Sequence, residues 1–229
     1  MSLIILVRHG KSLWNKENRF TGWTDISLSN EGIKEAETAS KEILDHNISI
    51  NVAYSSIFSR AYETGKIILQ NSQNSKITIE KDWRLNEKHY GKLQGLNKSE
   101  TSTKYGDDQV LKWRRSFKTK PPLLTEKDHA LQLKNPLFKN IPNGNIPIGE
   151  SLEDTVLRVN KFCKDSLYKS LNENKNILIS AHGNSIRALI KILKKIPDKS
   201  IEKLEILTGK PIYFKYENST FTEMEKFTR

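Results

Sequence analysis

Two short segments constrain this chain more than any other feature, because each joins an apolar run to a His-Gly pair. They are LVRHGK at Leu6–Lys11 and SAHGN at Ser180–Asn184. In a parallel α/β sheet, ligands bind in the crevice at the carboxyl ends of the strands. Two histidines delivered to that edge from opposite ends of the chain predict one site, and Arg8 adds a permanent cation suited to phosphate. The pattern predicts a histidine that accepts a phosphoryl group.

Length and composition favour one soluble globular domain spanning residues 1–229. Of the 229 residues, 36% are hydrophobic and 28% are charged, which suffices for a buried core. The longest apolar run, Leu3–Val7, is too short to span a bilayer, and the N-terminus lacks a secretory leader pattern. The single cysteine, Cys163, lies on an apolar helical stripe and predicts a buried structural thiol in a reducing compartment. We therefore expect a cytoplasmic protein with no membrane partner.

The formal net charge of +11 admits three interpretations. Lysines can simply solvate the surface, steer anionic small molecules towards a site, or bind nucleic acid. The lysines are spread along the whole chain without a dense basic block or an RNA-binding motif. This distribution favours a solvated surface first, an anionic substrate second and nucleic acid last.

Apolar periodicity predicts alternating strands and helices, which is the pattern of an α/β fold. The predicted strands are Leu3–Val7, Asn51–Ser55, Ile77–Glu80, Asn176–Ser180 and a last strand near the edge, Tyr213–Tyr216. One helix begins near Ser29 and carries the apolar stripe Ile33, Ala36, Ala39, Ile43 and Leu44. A second helix is predicted after Ser56, which could cap it. A third spans Ser151–Leu171 and begins with a capping box of Ser151 and Asp154, and a fourth spans Ser185–Leu193.

Between Trp83 and Gly149 the periodicity breaks down. This stretch holds five of the seven prolines, namely Pro121, Pro122, Pro136, Pro142 and Pro147. A long irregular stretch inside a compact domain is usually functional. We therefore expect a lid-like insertion at about residues 83–150, over the carboxyl edge of the sheet.

His9 is the predicted nucleophile, because a neutral imidazole nitrogen can attack phosphorus near neutral pH without a separate base. Taken alone it could merely end a strand, but Arg8 beside it and Gly10 after it favour the chemical role. His182 is the predicted partner that hydrogen-bonds the phosphoryl oxygens. Gly183 and Asn184 begin a helix there and offer backbone N–H groups to an anion.

Further cations surround these histidines in the predicted topology. Arg60 lies in the first turns of a helix, against the dipole preference, which favours a ligand role. Arg114 and Arg115 form a compact cationic pair that is either a clamp for a second anionic group or an ordinary helix surface. The other histidines, His46, His89 and His129, show no metal-ligand spacing, so no metal is expected.

These residues together resemble the cofactor-dependent phosphoglycerate mutases of the histidine phosphatase superfamily. The resemblance covers almost the whole chain, and the LVRHG motif marks the superfamily. The narrower match to the mutases is carried by NEKHYGKLQGLNK and WRRSF, with further support from AYSSIFSRAYET, ESLEDTVLRV, ISAHGNSIRALIK and LTGKPIYF. It implies a mainly parallel sheet flanked by helices on both faces, and a homodimer.

The resemblance places the phosphohistidine on His9, the acid–base carboxylate on Glu87 and the transition-state-stabilising histidine on His182, with Arg8 and Arg60 as further catalytic residues. It implies substrate contacts at Arg8, Ser12, Asn15, Thr21, Gly22, Arg60, Glu87, Tyr90, Lys98, Arg114, Arg115, Gly183 and Asn184. The implied reaction is the interconversion of 2- and 3-phosphoglycerate in glycolysis and gluconeogenesis, primed by 2,3-bisphosphoglycerate.

Two departures from the family pattern bear on this expectation. Lys11 stands where the family usually has glutamate, which changes the formal charge near the nucleophile by two units. The chain ends at Arg229, about where related mutases continue into a tail, and we expect more leakage of the phosphohistidine to water as a result. A related phosphatase or bisphosphoglycerate synthase is the second hypothesis, and a non-catalytic binding protein is the third.

Overall fold

The computed structural model describes residues 1–70, 76–142 and 144–224, so the expectation about the chain's C-terminal end falls outside the described residues. The strands of the described part are β1 (Ser2–Arg8), β2 (Val52–Ser55), β3 (Ile79–Lys81), β4 (Ile177–Ala181), β5 (Pro211–Glu217) and β6 (Thr220–Met224). They form one sheet in the order β3-β2-β4-β1-β5-β6.

The sheet is mainly parallel, as predicted. Strands β3, β2, β4 and β1 run parallel to one another. Strand β5 pairs with β1 in the antiparallel sense, and β6 pairs with β5 in the antiparallel sense. The predicted strand Tyr213–Tyr216 does lie near the edge, but it is part of the longer β5 and is followed by a further strand, β6, at the edge itself. Asn218 and Ser219 both adopt positive φ, which is the backbone that a tight hairpin turn requires, and they return the chain as β6.

Helices cover both faces of the sheet. Their bounds are α1 (Leu13–Lys16), α2 (Asn30–Asp45), α3 (Ser59–Gln70), α4 (Lys98–Tyr105), α5 (Asp107–Arg115), α6 (Glu126–Leu133), α7 (Leu152–Phe162), α8 (Tyr168–Asn172), α9 (Gly183–Lys194) and α10 (Asp198–Ile201). Alternate residues of β1 point to opposite faces. Ile4 and Leu6 join the core under α7 and α9, whereas Leu3, Ile5 and Val7 join the core under α2 and α3. This confirms the predicted α/β architecture.

Several predicted helix details differ from the structure. The helix predicted over Ser151–Leu171 is interrupted by a π-helical turn at Cys163–Leu167 between α7 and α8, although the capping box of Ser151 and Asp154 is present. Ile33 and Leu44 are 38% and 41% exposed, so the buried stripe of α2 is narrower than predicted.

Cys163 is fully buried, as predicted, and burial raises the pKa of its thiol to about 12.

The segment predicted to be an irregular insertion is largely structured. It contains α4, α5 and α6 and short 3₁₀ turns at Trp83–Leu85, Gly91–Leu93 and Pro136–Phe138. Trp113 and Val110 of α5 pack with Phe20 and Leu93. The prolines broke the sequence periodicity, but tertiary packing of these aromatic and aliphatic side chains supplies the order.

His89 links two parts of this segment through hydrogen bonds made by its neutral imidazole ring. Its Nδ1 accepts the Gly91 N–H at 2.9 Å, so Nε2 carries the hydrogen that is donated to the Gln132 Oε1 at 2.9 Å. Burial is the main cause that lowers the pKa of His89 to about 4. Protonation of Nδ1 removes the acceptor that Gly91 uses, so the folded state resists it.

The stability of the protein should therefore fall with acidification. The unfolded chain protonates His89 below about pH 6.5, whereas the folded protein does so only near 4, so the contribution is present above pH 6.5 and is lost between these values. We expect this one group to remove up to ~3 kcal/mol of unfolding free energy across that window. Denaturant unfolding at a series of pH values gives the unfolding free energy as a function of pH. Between pH 4 and 6.5 this free energy should change less steeply with pH in His89→Gln than in the wild type, and an unchanged pH dependence contradicts this account.

Candidate active site

The pairing of β1 with β4 brings the two predicted histidines together. Arg8 lies opposite Ala181 at the ends of these neighbouring parallel strands, and the His9 N–H donates to the Ala181 carbonyl at 2.9 Å. The next residues of both strands, His9 and His182, therefore emerge at the same edge. Their ring centroids are 4.9 Å apart in an edge-to-face arrangement.

His9 is held in the form that a nucleophile requires. Its Nδ1 lies 2.7 Å from the Gly10 carbonyl, and since a carbonyl only accepts, the ring hydrogen is on Nδ1 and Nε2 keeps its lone pair. Burial, followed by the positive charges of Arg60 and Arg8, holds the pKa of His9 well below its ordinary value. A neutral ring with a free Nε2 can form a bond to phosphorus near neutral pH.

Gly10 keeps this loop against α2. A Cβ at Gly10 would lie 2.0 Å from the Gly32 carbonyl oxygen, which no side chain permits. The Gly10 N–H donates to the Thr64 hydroxyl at 3.1 Å. Gly10 thus allows its own backbone to approach the backbone of Gly32 closely. This contact holds the chain directly after His9 in place.

Arg60 and Arg8 place two guanidinium groups beside the histidines. Arg60 is fully buried on α3 and donates to the carbonyls of Thr24 and Gly22 at 2.8 and 2.9 Å, while Arg8 donates to the Ile206 carbonyl at 2.7 Å. The Nε of each arginine is buried and has no hydrogen-bond partner within the described residues. Burial lowers the pKa of Arg60 only to about 10, so it remains cationic at neutral pH. Buried, unused donors on the fully buried Arg60 and the half-buried Arg8 can serve as a receptor for an anion.

Glu87 joins the segment 83–150 to the helix that follows His182. Its Oε1 accepts the N–H groups of Lys88 and Asn184 at 2.7 and 3.1 Å. The Asn184 N–H, which we expected to be offered to an anion, donates to the Glu87 carboxylate in this structure. Trp23 and Arg158 donate to the Glu87 carbonyl at 2.7 and 3.0 Å. These bonds hold a carboxylate at the mouth of the site.

A single cavity gathers most of the predicted site residues. It is lined by Arg8, His9, Asn15, Arg19, Phe20, Thr21, Gly22, Arg60, Glu87, Tyr90, Lys98, Arg114, Arg115, Gly183, Asn184 and Arg187. Of the predicted set, Ser12 and His182 are absent from this lining. Ser12 instead caps α1 through a capping box with Asn15, and His182 is fully buried with its ring against that of His9.

The lining is strongly cationic, with seven arginine and lysine side chains against the carboxylate of Glu87 in the described part of the chain. Burial, then the charges of Arg114 and Arg8, lowers the pKa of Lys98 to about 8, which leaves it mostly protonated at neutral pH. The positive net charge of the chain is thus concentrated where an anion can use it. The structure favours the anionic-ligand interpretation for this part of the charge.

Arg187 was not among the predicted residues. It lies one turn after Asn184 on α9, donates to the Asn184 Oδ1 at 2.6 Å, and lines the cavity. The Asn184 Nδ2 in turn donates to the Tyr90 hydroxyl at 3.1 Å. The position of Arg187 three residues after Asn184, on the same helix face, was the available signal.

Arg115 lies farther out, where it donates to the Leu204 carbonyl at 3.3 Å and pairs with the exposed Glu205.

Ser56 was also missed as a site residue, because the sequence suggested a helix cap. Helix α3 begins at Ser59, whose N–H donates to the Asp25 carboxylate at 2.8 Å, so Ser56 is not its cap. The Ser56 hydroxyl instead lies 2.7 Å from the His182 Nε2. The signal was its place directly after β2, which pairs with β4 and ends at the same edge.

Lys11 points away from the cavity. Its ammonium group pairs with the Glu31 carboxylate on α2, and its N–H donates to Glu35 at 2.8 Å. The hydrogen bond to Glu31 is the main cause that raises the pKa of Lys11. The charge change at this position is therefore neutralised on the surface rather than added to the anion receptor.

Replacing Lys11 with glutamine should leave the affinity of the site for anions almost unchanged. We expect less than about a twofold change in KM, because exposed ion pairs contribute little and screening weakens the Lys11 charge at the cavity. Arg114→Gln is the matched comparison, since it removes one cation that does line the cavity, and it should raise KM clearly. A large KM effect of Lys11→Gln at low salt would contradict this assignment.

No helix among residues 1–70, 76–142 and 144–224 combines the length and apolar character needed to cross a bilayer. Within those same ranges, no three or more His, Cys, Asp or Glu side chains cluster in a way that could hold a metal ion.

Comparison with known proteins agrees with this geometry. The model of the histidine phosphatase superfamily (branch 1) matches residues 4–135 and 125–226. A 2,3-bisphosphoglycerate-dependent phosphoglycerate mutase of Borreliella burgdorferi is 48% identical over 93% of this chain and 86% of its own length. The protein of that name from Staphylococcus epidermidis is 47% identical over 93% of this chain and 94% of its own length.

Solved structures share the fold. A phosphoglycerate mutase from Bacillus anthracis superposes with a TM-score of 0.68 at 22% identity, over 97% of this chain and 91% of that one. A structure described as mycobacterial hydrolase 1 gives a TM-score of 0.75 at 20% identity, over 98% and 97% of the two chains. From the family match and the identity to its relatives, this chain belongs to the histidine phosphatase superfamily and, within it, to the 2,3-bisphosphoglycerate-dependent phosphoglycerate mutases.

Proposed function

We propose that this protein interconverts 2-phosphoglycerate and 3-phosphoglycerate through a phosphorylated His9. The observation that carries the proposal is the neutral His9 ring, with Nε2 unprotonated, beside two arginines whose buried Nε atoms are unpartnered among the described residues, in a cationic cavity. The names of the relatives support the same substrate. 2,3-Bisphosphoglycerate supplies the phosphoryl group that primes His9, and its several negative charges fit the seven cations of the lining.

His9 and Glu87 divide the chemistry. In one direction the His9 Nε2–P bond breaks, a P–O bond forms to the substrate hydroxyl, and Glu87 takes the hydroxyl proton. After the bound molecule turns end over end, His9 Nε2 takes up the other phosphoryl group, and Glu87 returns its proton to the departing oxygen. Arg8, Arg60 and His182 stabilise the charge on the phosphoryl oxygens as it passes between them.

The outer cations hold the rest of the substrate. Lys98, Arg114 and Arg115 bind its carboxylate and second phosphate, assisted by Asn15, Thr21, Gly22, Tyr90, Gly183 and Asn184. The Oγ1 of Thr21 supports this arrangement, since it lies in a residue that lines the cavity, is buried, and has no hydrogen-bond partner among the described residues. Ser12 contributes by capping the helix that carries Asn15.

The wider assignment follows from the family. We propose a single domain in which residues 83–150 cover the catalytic edge, because that segment contributes Glu87, Tyr90, Lys98, Arg114 and Arg115 to the cavity. A homodimer and a cytoplasmic location are also proposed, on the resemblance to other mutases of glycolysis and gluconeogenesis.

Phosphorus NMR of 3-phosphoglycerate incubated with enzyme treated with a chelator tests the proposal directly. We expect 2-phosphoglycerate to appear, and a trace of 2,3-bisphosphoglycerate to accelerate its appearance. Conversion only to free phosphate would move the assignment to a phosphatase. Accumulation of bisphosphoglycerate would indicate a synthase, and the absence of any reaction or labelling would indicate a binding protein.

A further inference from the structure

The Ser56 hydroxyl makes two hydrogen bonds within the described residues, and together they fix where its hydrogen lies. Its oxygen accepts the Phe58 N–H at 3.2 Å and lies 2.7 Å from the His182 Nε2. A hydroxyl has one hydrogen and two lone pairs. The bond from Phe58 uses one lone pair and leaves the hydroxyl hydrogen to be placed, and the His182 Nε2 is its one acceptor within the described residues. That nitrogen then accepts, and the ring hydrogen of His182 belongs on Nδ1.

The other side of the His182 ring supports the same conclusion independently. Its Nδ1 is buried and has no hydrogen-bond partner in the described part of the chain. Oxygens of a phosphoryl group facing His9 are acceptors, so only a hydrogen on Nδ1 gives His182 an attractive contact with them. Burial, and then the charge of Arg60, holds the pKa of His182 well below its ordinary value, so the ring has one hydrogen to place.

We propose that Ser56 is a positioning residue that fixes His182 in its Nδ1–H tautomer, so that a neutral hydrogen-bond donor faces the phosphoryl group. This inference rests on the proposed phosphoryl transfer at His9. The Phe58 ring packs edge-to-face on His182 with centroids 5.7 Å apart and limits its rotation. Ser56 selects the hydrogen position, and the packing of Phe58 selects the ring orientation. A donor arranged in advance is more effective than one that must reorganise during the reaction.

The tautomer can be measured without turnover, which separates this proposal from the identity of the substrate. Protein labelled with nitrogen-15 in its histidines is examined by NMR, and the His182 signals are those lost in His182→Ala. We expect hydrogen on Nδ1 and none on Nε2 in the wild type, and a redistribution of the hydrogen to Nε2 in Ser56→Ala. A wild-type His182 that carries hydrogen on Nε2 overturns the proposal, whatever the variants do.

A kinetic cycle tests whether Ser56 acts through His182. Ser56→Ala should lower kcat about ten- to a hundredfold with less than about a threefold change in KM, because the arginine contacts remain. Ser55→Ala is the matched control, since Ser55 is equally buried next door but donates to the Ser56 carbonyl at 3.0 Å rather than to His182. In a His182→Ala background, adding Ser56→Ala should cost less than about twofold, as coupled residues are not additive. A full further loss there, or an equal loss in Ser55→Ala, would show a merely structural role and overturn the proposal.

Discussion

Replacing His9 with alanine should abolish formation of the phosphoenzyme and lower mutase turnover by at least about 10⁴-fold, as expected for loss of a covalent nucleophile. The reason is that Nε2 of His9 is the atom that we propose to bond to phosphorus. Its lone pair is preserved by the Nδ1–H bond to the Gly10 carbonyl, and burial keeps the ring neutral. The measurement is labelling with radioactive bisphosphoglycerate, followed by acid treatment, which releases phosphate from histidine.

The same variant supplies its own control for binding. His9→Ala keeps Arg8, Arg60 and the outer cations, so calorimetric titration with 2,3-bisphosphoglycerate should show an affinity within about tenfold of the wild type, because charge-assisted contacts to the arginines remain. His46→Gln alters a histidine outside the cavity and should label normally. Persistent acid-labile label in His9→Ala would place the phosphorylated residue elsewhere and sink the mechanism.

Glu87→Gln should lower kcat by about 10²- to 10⁴-fold, the usual contribution of a general acid–base group. Glutamine keeps the side-chain oxygen that accepts the N–H groups of Lys88 and Asn184, so the loop should retain its position. What it loses is the ability to take and return the proton of the substrate hydroxyl. Steady-state kinetics, together with rapid-quench measurement of His9 labelling, should show both transfer directions slowed rather than labelling abolished.

Glu80→Gln, on the exposed side of β3, is the matched control for the loss of one carboxylate and should retain wild-type turnover. If Glu87→Gln retained more than about a third of the wild-type kcat, another group would have to move the proton, since general acid–base catalysis contributes far more than this. The two variants His9→Ala and Glu87→Gln thus separate loss of the covalent intermediate from loss of proton transfer.

The difference between the predicted and observed roles of individual residues has a common physical origin. Sequence patterns located His9 and His182 because each follows an apolar strand, and local chemistry around the His-Gly pair is visible in the sequence. They missed Ser56 in the site, because its bond to His182 joins residues 126 positions apart through the pairing of β2 with β4. Arg187 lies only three positions after Asn184, so its place on the same helix face was a local signal that went unused. Distance along the chain says little about which hydroxyl reaches a given ring.

Charge shows the same division. The sequence counts cations and carboxylates, and Lys11 beside the nucleophile suggested an altered anion site. The fold turns Lys11 towards Glu31 on α2 and turns Arg8 into the cavity, although the two are only three positions apart. Between them lies Gly10, whose backbone packs so closely against Gly32 that no side chain fits there.

Residue types and periodicity by themselves determined the α/β class, the strands that end in His-Gly, and the sheet edge at which both histidines meet, because these depend on short-range pattern and on the common polarity of parallel strands. The tertiary structure alone decided the order within segment 83–150, the occupation of the Asn184 N–H by Glu87, and the pairing of Ser56 with His182. Those features depend on which residues, far apart in the sequence, are buried next to one another in the fold. Buried polar atoms must find partners wherever packing places them, and packing is a property of the whole fold.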